Sequence, residues 1–123
     1  MNKIGAIIQA RVSSTRLPAK VLKELPYRSG ITVLQQVIRR IKLSHSINEI
    51  IVATTENSED EEIVSIAKKE NVIFFKGSSE NVLSRYYFAA KQNLLDYIIR
   101  ITSDCPCIDA KIVDKTVLYL MDT

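Results

Sequence analysis

The sequence predicts one α/β domain built on a mainly parallel sheet with helices on both faces. Three observations carry this. Short apolar runs alternate four times with segments whose apolar residues recur at helical spacing. The connections between them are short. The chain has 123 residues, 46% apolar and 25% charged, which suits one domain and not two.

Each element follows in chain order. Ile4 to Ala10 is an apolar run fit for a buried strand. A polar stretch from Arg11 to Lys20 comes next and contains Pro18. Val33, Leu34, Val37, Ile38 and Ile41 predict a helix over Thr32 to Leu43. Ile50 to Thr55 is the second strand. Ser58 with Glu61 three residues on has the form of a capping box, and Ile63, Val64, Ile66 and Ala67 continue that helix. Val72 to Phe75 gives a third strand that Gly77 ends. Ser78 or Ser79 is placed to cap a third helix carrying Val82, Leu83, Tyr86 and Ala89. Asp96 to Ile101 is the fourth strand, and Asp109 is placed to cap a last helix through Val113, Val117 and Leu120.

Composition removes several classes. Three glycines and three prolines exclude collagen-like and linker-like chains, and a loop that wraps phosphate with several glycines. No apolar stretch is long enough for a membrane span or a signal peptide, so a cytoplasmic protein is expected. Cys105 and Cys107 are too close for a disulfide staple. With His45 as the single histidine, four soft zinc ligands cannot be assembled. Charge is uneven. Residues 1–42 carry nine basic side chains against Glu24, a balance of +8, whereas residues 43–123 carry −5. A basic third points to an anionic ligand near the N-terminal part. Arg39, Arg40 and Lys42 read as a solvated helix face. Nucleic acid is disfavoured, because no aromatics interleave with the basic residues for base stacking.

In open α/β sheets ligands bind beyond the carboxyl ends of the strands. Four segments should reach that edge, Gln9 to Lys20, Thr54 to Asn57, Lys76 to Asn81 and Thr102 to Asp109, and three stretches carry candidate chemistry. Arg11, Arg16 and Lys20 with the hydroxyls of Ser13, Ser14 and Thr15 suit phosphate oxygens, although an ordinary polar loop has the same composition. Asp104, just past the fourth strand, suits either a magnesium ion or a turn before Cys105-Pro106. Gly77 to Tyr87 turns into a helix whose first amides face the same edge. Arg85, Tyr86 and Tyr87 also fit simple packing there.

These segments carry a resemblance. Ile7-Ile-Gln-Ala-Arg-Val-Ser-Ser-Thr-Arg-Leu-Pro-Ala-Lys20 resembles the N-terminal signature of the sugar cytidylyltransferases, which include the acylneuraminate and 3-deoxy-manno-octulosonate enzymes. Ile51-Val-Ala-Thr-Thr55, Gly77 to Tyr86 and Arg100-Ile-Thr-Ser-Asp-Cys-Pro106 follow in the same order and are most similar to the spore-coat polysaccharide (SpsF-type) branch. The resemblance implies a Rossmann-like nucleotide-diphospho-sugar transferase fold. It implies CTP and an acidic sugar as substrates, magnesium as cofactor, and a homodimer. Arg11, Arg16 and Lys20 would surround the triphosphate, beside Ala10, Ser13, Ser14 and Thr15. Asp104 would bind magnesium. Arg11, Lys20 and Asp104 would carry catalysis. Ser78, Ser79 and Arg85 would line base and ribose, with Thr102 close to the base. Two departures stand out: Ser13 and Ala19 occupy positions where relatives usually have glycine.

Family members are considerably longer, and their distal part carries much of the acceptor-sugar site. Residues 1–123 are therefore expected to form the CTP-binding domain without that part. The alternatives from another class are a nucleotide- or partner-binding module without turnover, and a glycosyltransferase of related fold. The latter lacks support because no Asp-x-Asp pair occurs.

Overall fold

The computed structural model describes residues 3–11, 22, 24, 28–78, 80–102 and 110–122, the side chains of 82, 102 and 119–122 excepted. Its elements are β1 (Ile4–Gln9), α1 (Val33–Ile41), β2 (Glu49–Thr55), a 3₁₀ turn (Ser58–Asp60), α2 (Glu61–Lys69), β3 (Ile73–Gly77), α3 (Val82–Gln92), β4 (Tyr97–Thr102) and α4 (Ala110–Asp122). All four strands pair in parallel, in the order β3-β2-β1-β4.

This order fixes the layers. From β1 to β3 the chain steps one way across the sheet, and from β3 to β4 it steps back past β1. Right-handed crossovers then require α1 and α2 on one face and α3 on the other. The cores agree. Ala6, Ile8 and Val52 pack with Leu34, Val37 and Ile38 of α1, with Ile63 and Ala67 of α2 and with Val113 of α4. Ile7, Ile51 and Ala53 pack with Tyr86, Ala89 and Ala90 of α3. Alternation along β1 and β2 thus feeds two cores, as a sheet covered on both sides demands. Gly5 permits the close approach of the α3–β4 connection, since a Cβ there would lie 2.4 Å from Leu95 Cδ1.

Local signals held in part. Thr32 and Gln35 form a reciprocal capping box at α1. At the second helix the Ser58–Glu61 expectation fails. Ser58 opens a 3₁₀ turn, and Asp60, at the N-cap of α2, makes no side-chain cap. The third helix is capped by Asn81, whose side chain accepts from Ser84 N, while Ser78 Oγ accepts from the N–H groups of Glu80 and Asn81. Asp109 lies outside the described residues. Nor do Arg39 and Lys42 merely meet solvent. Arg39 donates from Nε and Nη2 to both oxygens of Glu70 at 3.1 and 3.2 Å, and Lys42 donates to the Glu70 carbonyl, so α1 is tied to the end of α2.

Candidate functional site: the carboxyl edge of the sheet

The strand order reverses between β1 and β4, and the crevice of such a sheet opens beyond the carboxyl ends at that point. Register shows what stands there. Gln9 is level with Ala53 on one side and Thr102 on the other, and Thr55 is level with Gly77. Two residues past Gln9, beyond the last paired position of β1, comes Arg11. Residues 7, 51 and 53 face α3, so by alternation the row of Thr55 and Gly77 lies on the α3 side, and the charge of Arg11 acts on Arg85 of that helix.

Arg85 of α3 lies over the end of this row. A Cβ on Gly77 would sit 3.0 Å from Arg85 Cγ, so the arginine stem runs directly over the glycine backbone. The side chain is buried, with 1% of its residue surface exposed. Its Nη1 donates to the Ser78 carbonyl, while Nε and Nη2 have no hydrogen-bond partner. Burial lowers the Arg85 pKa, and the nearby Arg11 cation lowers it further. Tyr86 and Asp60 act in the opposite sense. Asp60 is also buried and accepts the Thr55 hydroxyl. Its carboxylate faces the end of β2 and not the amides of α2, which explains the missing cap.

The other expected residues fall as follows. Ala10 packs in the core on the opposite face, and its N–H donates to Ala53 O at 3.0 Å. Ser78 sits just past β3 with its carbonyl on Arg85 and its hydroxyl closing the turn into α3. Thr102 is the last residue of β4. Ser13, Ser14, Thr15, Arg16, Lys20, Ser79 and Asp104 lie outside the described residues. Of the expected set, the structure brings Arg11, Ser78 and Arg85 to the α3 side of the edge. Sequence reasoning assigned Asp60 no role at the edge. It placed Thr54 and Thr55 there without a function for either, and Thr54 is buried at the end of β2 with an unpartnered hydroxyl. Asp60 was visible only as part of an acidic run, Glu59-Asp-Glu-Glu62, which reads as a solvated helix start.

Beside the row, an apolar groove of about 620 Å³ runs between α3 and β4, lined by Leu83, Tyr86, Tyr87, Ile98 and Arg100 among others. The Arg100 guanidinium carbon stands 4.7 Å from the Tyr86 ring centroid. The edge as a whole offers the buried Arg85, the half-buried Arg11, hydroxyls and an adjacent apolar wall. That combination suits a phosphorylated ligand with a flat or ring-shaped part.

Comparison with known proteins agrees with this chemistry. Residues 5–123 match the family model described as cytidylyltransferase. The chain is 43% identical over 119 residues to an uncharacterised protein of Methanocaldococcus jannaschii, covering 97% of this chain and 48% of the other. It is 33% identical over 115 residues to the spore coat polysaccharide biosynthesis protein SpsF of Bacillus subtilis, covering 93% and 48%. A solved cytidylyltransferase from Leptospira borgpetersenii superposes with a TM-score of 0.89 at 42% identity, covering 97% of this chain and 49% of that one. The chain thus spans about half the length of the curated relatives it matches.

Proposed function

Because the chain belongs to the cytidylyltransferase family, we propose that the protein transfers CMP from CTP to a hydroxyl of an acidic sugar, with release of pyrophosphate, in cell-surface or spore-coat polysaccharide synthesis. The observation that carries the reading is the cationic row at the carboxyl edge, where Arg11 and the buried Arg85 meet on the α3 side. Support for the acidic acceptor comes from the resemblance of the four ordered motifs to the acylneuraminate and 3-deoxy-manno-octulosonate enzymes.

In the proposed reaction the sugar oxygen bonds to the α-phosphorus as the bond from that phosphorus to the bridging oxygen breaks. The hydroxyl proton passes to solvent. Such a displacement asks for alignment and for neutralised phosphate charge, with little covalent work from the protein. Arg11, Arg16 and Lys20 are the proposed cations, and Ser13, Ser14 and Thr15 supply hydroxyls. Ser78, Ser79 and Thr102 take the base and ribose. Among the described residues no group of three side chains could hold a metal, and the Asp60 carboxylate is engaged by Thr55. A metal would therefore depend on Asp104, two residues beyond β4. Magnesium bound there would neutralise phosphate charge. A cytoplasmic location is part of the proposal. Among the described residues no helix is long and apolar enough to cross a membrane.

Two measurements test the reading. Titration with CTP is expected to raise the thermal midpoint more than titration with ATP or GTP. Pyrophosphate release is expected with an acidic sugar present. Absence of any CTP-dependent shift would overturn the assignment. CTP binding without pyrophosphate release across a panel of acidic sugars would leave a nucleotide-binding module.

A further inference from the structure

We infer that Arg85 seats a phosphate group of the ligand jointly with Arg11, and that Asp60 is the positioning residue that holds Arg85 there. The inference rests on the reading of this edge as a nucleoside triphosphate site and deepens it. The sequence resemblance puts Arg85 on the base and ribose side, and the geometry points to the phosphates.

The side chain is fixed before any ligand arrives. Its stem lies over Gly77, its Nη1 is committed to the Ser78 carbonyl, and 1% of the residue surface is exposed. What remains is one edge of the guanidinium, Nε and Nη2, with both donors unpartnered. These two N–H groups point the same way and match two oxygens of one phosphate. A buried donor left unpaired is costly, so two on one edge of one residue call for a partner.

Charge selects the kind of partner. Arg11, two residues past the end of β1, acts by its charge on Arg85. A buried guanidinium therefore feels a second cation, and Asp60 is the carboxylate that tempers Arg85. Among the described residues, Arg85 with the Arg11 and Asp60 charges that act on it is positive by one. A cytosine ring or a ribose hydroxyl does not neutralise that charge, whereas a phosphate does. Asp60 earns its role by position. It accepts the hydroxyl of Thr55, which is level with the Gly77 that lies beneath the Arg85 stem, and it makes no cap to α2.

The test is calorimetry with inorganic tripolyphosphate, CTP and cytidine on the wild-type chain and on Arg85→Gln, Arg85→Lys and Asp60→Asn. Arg85→Gln is expected to lower affinity for tripolyphosphate and for CTP by about ten- to a hundredfold and to leave cytidine binding unchanged. Arg85→Lys, which keeps the charge and loses the fork, is expected to fall between and covers the case in which the glutamine variant does not fold. Asp60→Asn makes the site more positive, so electrostatics alone predicts tighter tripolyphosphate binding. The positioning role predicts weaker binding. A loss with cytidine equal to the loss with CTP places Arg85 at the base and overturns the inference. Tripolyphosphate affinity unchanged in folded Arg85 variants overturns it too, and tighter binding by Asp60→Asn removes the role of Asp60. A wild type that binds tripolyphosphate but does not prefer CTP to other nucleotides removes the CTP reading and leaves the phosphate seat standing.

Discussion

Gly77 shows how one missing side chain shapes the site. A Cβ there would lie 2.9 Å from Phe75 Cε1 and 3.0 Å from Arg85 Cγ, so both must shift to admit it. Gly77→Ala is expected to cost about 1–3 kcal/mol from overpacking and to weaken CTP binding by moving Arg85. Thermal denaturation and CTP titration check this, and a variant as stable as the wild type with full affinity would contradict it. A second prediction concerns Lys20, at the end of the basic loop. Lys20→Ala is expected to weaken CTP far more than CMP, since a charge-assisted contact to a distal phosphate is worth about 1.5–3 kcal/mol. Equal losses for both nucleotides would remove Lys20 from that part of the ligand. At this scale the motifs marked Arg11, Ser78 and Arg85 as candidates, and the structure joins Ser78 and Arg85 by a hydrogen bond. Asp60 was not, because an acid in an acidic helix start carries no local mark of burial.

Between elements, Asp114 ties α4 to the turn after α1. Its carboxylate accepts the Ser44 hydroxyl and the backbone N–H groups of His45 and Ser46, each at 3.1 Å to Oδ1. The Ser44 bond chiefly, then the two amides, lowers its pKa from 3.8 to about 2. The unfolded chain then binds the proton more readily than the folded one. The contribution to stability is full above about pH 4 and is lost as pH falls toward 2. Asp114→Asn is expected to melt below the wild type at pH 7, with the gap closing as pH approaches 2. Melts across that range decide it, and a gap that persists at low pH would rule out the titration of Asp114 as its cause. Sequence found every helix and strand at this scale, within a residue or two at most described boundaries. It misjudged the caps of α2 and α3, because Asp60 bonds to Thr55 and Ser78 closes its own turn.

Over the whole molecule, β4 pairs only with β1 among the described strands. Leu83, Tyr87 and Ile98 are exposed along the groove beside it. An edge strand flanked by apolar side chains is a template for association. The chain is expected to self-associate as concentration rises, and Leu83→Glu is expected to reduce this. Sedimentation velocity over a concentration series checks both; a monomer at every concentration would contradict the expectation.

By itself the sequence determined the alternation of strands and helices, the α/β class and which segments reach the carboxyl edge of the sheet. These follow from apolar spacing, capping residues and charge, which act over a few neighbouring positions. The strand order β3-β2-β1-β4 and the assignment of α3 to its own face were decided by tertiary structure. So was the meeting of Arg11, Thr55, Asp60 and Arg85, which come from three separate stretches of chain. Their alignment depends on parallel register across the sheet and on burial, and both are set through space. The physical reason is that a side chain's charge and desolvation depend on which distant residues surround it, and no local pattern in the chain encodes that.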